Sequence, residues 1–230
     1  MNTMPPCPDF LLLGDSHAAA IGRAARLDGV SFHGGPLGSG REFFSPFFTV
    51  GDGRLALTGE QAAKLLAKFL TDLGIPALEQ LKCPLVSTLG LSPHFMATRE
   101  IWSCYAAPDT DPDTETLHSP IFAEVVEEML AVPLTFYRHL VGNGVDVIGV
   151  AAPQRVPDLS IPSVFTAVQD QMLDRYRAIG MRLIDLRQDT GGSDGWLRTE
   201  FCKDNDPLHA NEAFGRLVLQ EIRGVLVTEN

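Results

Sequence analysis

Short uncharged apolar runs recur along this chain, each separated from the next by enough residues for a helix. That alternation restricts the fold more than any other feature. Phe10-Leu11-Leu12-Leu13 is such a run, ended by Gly14. An unbroken apolar run, rather than an alternating one, suits a strand covered on both faces. Further strands are expected over 29–32, 84–89, 145–151 and 181–186. Helical patterns fill the intervals at 17–27, 58–81 with a break at Pro76, 119–141 with an interruption near Pro133, and 161–179. A last helix over 210–225 carries Phe214, Leu217, Val218 and Ile222 on one face. Strands alternating with helices form a parallel sheet layered on both sides. The expected fold class is therefore α/β, a three-layer α/β/α sandwich around a flavodoxin-like five-stranded parallel sheet.

Three segments depart from the alternation. Residues 47–57 read as a β-hairpin, because Gly51-Asp52-Gly53 between β-formers favours a primed turn. Residues 34–40 form a glycine-rich loop that lacks the Lys-Ser/Thr end of a phosphate-binding loop. Residues 90–118, with Pro93, Pro108 and Pro112, form a long loop insertion of the kind that is either functional or disordered. No internal repeat or linker divides the 230 residues, so one domain over 1–230 is expected.

Charge narrows the class of partner. The formal net charge is −11, and such a surface repels nucleic acid and anionic lipid. No apolar stretch reaches the length of a membrane span, and residues 1–9 contain no Lys or Arg. A cytoplasmic protein without nucleic-acid or membrane partners is the expectation. Cys7, Cys83, Cys104 and Cys202 show no CxxC spacing and read as reduced thiols. His33, His118 and His139 lack ligand-like spacing, and no metal or other cofactor is expected.

In open parallel sheets ligands gather at the carboxyl ends of strands. There the sequence places Gly14-Asp15-Ser16-His17, between the first strand and its helix. The backbone amide of Ser16 can help hold a developing oxyanion. A serine hydroxyl at its ordinary pKa needs a neighbouring base to act as a nucleophile. Asp206-Pro207-Leu208-His209, just before the last helix, supplies one. Asp206 and His209 are spaced to meet across a turn, so Asp206 can fix the tautomer with which His209 takes the serine proton. Taken alone, Ser16 could equally be a helix cap, and Asp206 and His209 read first as a helix cap and a surface residue. Asp15 reads as a structural residue that bonds amides in its own turn. His17 either touches substrate or points outward. Trp102 and Tyr105 either line a pocket or pack within their loop.

With both blocks in view, the sequence resembles the SGNH (GDSL-type) hydrolase superfamily over nearly its whole length. Gly14-Asp15-Ser16-His17 resembles the branch associated with O-acetyl groups on carbohydrates. Asp206-Pro207-Leu208-His209-Ala210-Asn211, with Gly215, is similar to the family's closing segment. The resemblance implies a serine esterase with catalytic Ser16, His209 and Asp206, acting through an acyl-enzyme on a short acetyl-type ester of a carbohydrate or small molecule. It also implies an oxyanion glycine after the second strand, for which Gly38 fits best and Gly40 and Gly35 are alternatives. The family's asparagine after the third strand is absent. Gly90-Leu91-Ser92-Pro93-His94 stands there, so Ser92 takes the asparagine's place and His94 is a second candidate for it. His17 and His94 are the expected substrate contacts. The alternatives are an O-acyltransferase using the same triad and a binding domain that keeps the fold without catalysis.

Overall fold

A computed structural model describes residues 7–106 and 110–227. Pro108, one of the prolines of the 90–118 insertion, lies outside the described residues. The chain runs β1 (Phe10–Gly14), α1 (Ala18–Leu27), β2 (Phe32–Pro36), β3 (Phe48–Gly51), β4 (Arg54–Leu57), α2 (Glu60–Leu73) and β5 (Leu85–Ser87). Then come α3 (Arg99–Trp102), α4 (Thr114–Leu117), α5 (Pro120–Gly142), β6 (Val147–Val150), α6 (Pro162–Ala178), β7 (Arg182–Ile184), α7 (Arg187–Thr190) and α8 (Glu212–Val227). Five strands form one parallel sheet in the order β2-β1-β5-β6-β7, as the alternation requires. The hairpin β3-β4 is a separate antiparallel pair. Its turn is the primed one, with Asp52 at φ 51° and Gly53 at φ 73°.

Period-two alternation sends each strand's residues to two cores. Leu11, Leu13, Leu85 and Val147 face a layer built from α2, α5, α6 and the hairpin. Phe10, Leu12, Val86, Ile148 and Val150 face the layer of α1 and α8. Those two helices approach closely at Gly215, where an added Cβ would lie 2.4 Å from the Ala20 carbonyl oxygen. The order places β1 and β5 side by side at the sheet's topological switch point, the position where a crevice opens beyond the carboxyl ends.

Two expectations are corrected. The second strand lies over 32–36, not 29–32, and takes in Gly34 and Gly35 of the glycine-rich loop. Gly34 sits at φ 99° with an added Cβ only 2.0 Å from the Leu12 carbonyl oxygen, so glycine here permits close pairing with β1 rather than a turn. The helix over 119–141 is not interrupted at Pro133; α5 runs through it. Pro133 is buried, and its ring packs where Gly90 leaves room, an added Cβ there lying 2.5 Å from the Pro133 Cβ. That packing offsets the lost hydrogen bond. The described part of the insertion contains α3 and α4.

Candidate active site

Ser16 lies in the turn that joins β1 to α1, beyond the carboxyl end of the strand. Its hydroxyl does not cap α1; it lies 2.7 Å from Nε2 of His209. His209 Nδ1 lies 2.9 and 2.8 Å from the two carboxylate oxygens of Asp206. Ser16 and His209, 193 positions apart in the chain, thus form one line with Asp206. The loop that delivers the last two is closed on itself. Cys202 and Ala210 bridge, the Lys203 amide donates to the His209 carbonyl at 3.1 Å, and Arg155 Nη1 donates to the same carbonyl at 2.7 Å. Asn205 takes a left-handed φ of 53°, a conformation that asparagine tolerates. Asn211, not Asp206, caps α8, accepting from the amides of Ala213 and Phe214.

Asp206 is surrounded by donors. It accepts from the amides of Leu208 and His209 at 3.0 and 2.9 Å and from Lys203 Nζ at 2.9 Å. Burial alone would raise its pKa, but these bonds outweigh it and hold the carboxyl far below the ordinary carboxylate range. A carboxylate without a proton can only accept. His209 Nδ1 must therefore donate to it, which leaves the Nε2 lone pair facing the Ser16 hydroxyl. This is the tautomer that a general base needs.

Beside the line, a groove of about 460 Å³ is lined by Ser16, His17, Arg23, Gly38, Lys203 and His209 among others. Around it the amides of Asp15, His17, Leu37 and Ser39 all donate hydrogen bonds. Those of Ser16 and Gly38 have no acceptor among the described residues. Two free amides, one of them on the nucleophile, are the donor pattern that stabilises an oxyanion. Of the three candidate glycines, Gly38 lines the groove, and Gly35 and Gly40 do not.

Ser92 behaves differently from the asparagine whose place it takes. It is fully buried and donates its hydroxyl proton to Asp15 Oδ2 at 2.7 Å. A hydroxyl has one proton, so Ser92 has none left for an oxyanion. In this arrangement Ser92 props Asp15. Asp15 is also fully buried and accepts from Thr88 Oγ1 at 2.8 Å and from the His17 amide at 3.0 Å. Thr88 in turn accepts from the Asp15 amide at 3.1 Å. The network beneath the nucleophile is invisible in the sequence, because Thr88 carries no motif and the position of Ser92 does not reveal that Asp15 is its acceptor. Tyr137 and Tyr176, from α5 and α6, fix the same turn by donating to the carbonyls of Leu89 and Gly90, both at 2.7 Å.

His17 and His94 are both buried. Their rings are 6.1 Å apart between centroids, and His17 lies 5.1 Å from the His209 ring. Both ring nitrogens of His17 and Nδ1 of His94 lack a partner. Burial lowers both pKa values, that of His94 to about 3, with neighbouring imidazoles adding to the shift. Both rings are neutral at physiological pH. Trp102 does not line this groove. It is fully buried and packs on Phe122 and Tyr105 at 4.7 and 5.4 Å. Lys203, which lines the groove and grips Asp206, was missed; its spacing of three before the aspartate was the available signal. Among the described residues no group of three or more His, Cys, Asp or Glu could hold a metal ion, and no helix is long and apolar enough to cross a membrane.

No family model and no curated protein matches this chain. Solved structures do. A protein from Bacteroides fragilis provisionally assigned as an acylhydrolase is 13% identical, with a TM-score of 0.51, over 96% of this chain and 91% of its own. One from Streptococcus pneumonia, provisionally assigned as a platelet activating factor, is 12% identical with a TM-score of 0.51 over 98% and 86%. One from Lactobacillus plantarum is 17% identical with a TM-score of 0.50 over 97% and 98%. At these identities the likeness is one of fold, and it covers the whole three-layer sandwich.

Proposed function

We propose that this chain is a serine ester hydrolase of the SGNH (GDSL-type) kind. The observation that carries the reading is the Ser16–His209–Asp206 line, with Oγ to Nε2 at 2.7 Å and Nδ1 to carboxylate at 2.8 Å. Ser16 Oγ attacks the ester carbonyl carbon as His209 Nε2 takes its proton. Asp206 stabilises the imidazolium that forms. The amides of Ser16 and Gly38 receive the negative oxygen of the tetrahedral intermediate. His209 then gives its proton to the departing alcohol, leaving Ser16 acylated. Water, deprotonated by His209, attacks the acyl-enzyme and releases the acid. The chemistry is that of a relay in which one imidazole serves both halves.

The neutral His17 wall and the small groove suit a short acyl group, with a sugar or small-molecule alcohol directed to solvent. His94 lies behind His17 and supports it. The likeness in fold to an acylhydrolase is consistent with this reading. The test is hydrolysis of p-nitrophenyl acetate by the wild type, Ser16→Ala and His209→Ala. Loss of at least a thousandfold in kcat is expected for either variant, as for removal of a triad member (~10³–10⁶). Equal rates in all three proteins would refute the reading.

A further inference from the structure

Beyond the catalytic loop, the carboxyl edge of the sheet opens into a second cleft that the triad does not use. Two hollows, of about 760 and 550 Å³, meet at Gln154 and Trp196, which line both. The larger extends over the end of β7 beside α7. The smaller reaches Cys202 and Pro207, in the loop that carries Asp206 and His209. The chain's two tryptophans differ sharply. Trp102 is fully buried and spends its indole N–H on the Met96 carbonyl at 2.6 Å. Trp196 is half-buried in the cleft wall, and its indole N–H has no partner among the described residues.

Gln154 is 5% exposed. Its Nε2 donates to Gln169, which leaves its carbonyl oxygen without a protein donor at the cleft wall. A ligand hydroxyl can donate to that oxygen from the cleft. Arg187 pairs with both Asp170 and Asp185, at 2.5 and 2.7 Å, while Asp189 and Asp194 stay exposed at the rim as acceptors. The larger hollow thus combines an aromatic side chain with hydrogen-bond acceptors and excess negative charge. In the smaller one Arg99 pairs with Asp111, Arg155 donates to the carbonyls of Lys203 and His209, and Asp158 adds a further carboxylate. Anionic chains are repelled. The complement is a neutral chain that offers many hydroxyl donors and apolar C–H faces, which is an oligosaccharide.

Distance sets its length. In the strand order, β7 lies three spacings from β1, or ~14 Å at about 4.8 Å each. We propose that the Trp196–Gln154 cleft is a remote subsite for the sugar chain of an O-acylated oligosaccharide whose ester group lies at Ser16. This rests on the hydrolase reading and adds the identity of the alcohol: a neutral oligomer rather than a single sugar.

The experiment uses acetylated cello-, xylo- and manno-oligosaccharides of increasing length, with p-nitrophenyl acetate as the reference ester. For at least one series, kcat/KM relative to the reference should rise about tenfold once the chain spans the distance to β7. Trp196→Ala should abolish that rise and Trp196→Phe should restore most of it. Binding is read independently by the change in tryptophan emission when the same acetylated chains are added to Ser16→Ala, a signal that Ser16→Ala/Trp196→Phe should lose. If the wild type cleaves p-nitrophenyl acetate but no series shows a length dependence, or if Trp196→Ala keeps it, the subsite is overturned and the hydrolase reading stands. If Ser16→Ala binds the chains and the wild type cleaves no ester, the subsite stands and the hydrolase reading falls.

Discussion

Removing one hydroxyl, in Ser92→Ala, separates two roles that a serine at this place could have. Ser92 Oγ donates to Asp15 Oδ2 at 2.7 Å, while Thr88 and the His17 amide both serve Oδ1. The substitution therefore strips Oδ2 of its donor inside a fully buried site. A hydrogen bond to a charged group is worth about 1.5–3 kcal/mol, and the orphaned oxygen keeps its desolvation cost. A loss of about 2 kcal/mol of stability follows. For a domain of this size each kcal/mol moves the melting temperature by ~2–4 °C, so Tm should fall by ~4–8 °C. Differential scanning calorimetry gives that number, and p-nitrophenyl acetate turnover on the same preparation gives the other. The fall in kcat should be well under the roughly hundredfold that an oxyanion donor is worth. An unchanged Tm with a hundredfold loss of kcat would refute the reasoning, because it would put the Ser92 proton on the substrate.

Three further outcomes follow from the geometry. The depressed pKa of Asp206 means that its contribution to stability is complete above its unfolded value of about 4 and is lost as acid protonates it. The urea midpoints of wild type and Asp206→Asn should thus differ at pH 7 and converge as the pH falls below about 4. His94 has the opposite consequence: its folded pKa of about 3 lies below the unfolded 6.5, so the unfolded chain takes up the proton first. Stability should therefore decline as pH falls from 6.5 towards 3, by up to about 1.4 kcal/mol per pH unit, and His94→Gln should flatten that slope in urea titrations. Gly215→Ala would press a methyl group to within 2.4 Å of the Ala20 carbonyl and force α1 and α8 apart. A loss of about 1–3 kcal/mol in chemical denaturation is expected, with a loosened Asp206–His209 loop lowering activity as well.

Residues at element boundaries were the most legible. Ser16, Asp206 and His209 could be read because each sits where a strand or loop gives way to a helix, and the parallel alternation brings such ends to one edge. The continuous apolar runs fixed the number of central strands for the same reason, since burial on both faces leaves no polar alternative. Gly34 was misread because glycine signals a turn by composition, whereas its role in β2 is to let two backbones close up, a long-range contact. Pro133 was misread because a local rule about helices cannot weigh the packing that Gly90 makes available on another element. The role of Ser92 depends on which acceptor its single proton meets, and Asp15 is 77 positions away. The cleft at Trp196 is assembled from loops after β6 and β7, so it exists only once the sheet is formed.

The central claim is that Ser16 Oγ is the nucleophile, and covalent trapping tests it most directly. A fluorophosphonate probe followed by peptide mass spectrometry should place a single phosphonyl adduct on Ser16 of the wild type. Labelling should be lost in Ser16→Ala and strongly slowed in His209→Ala, where no base removes the proton. An adduct on another serine, or no adduct under conditions in which the native fold is intact, would contradict the account.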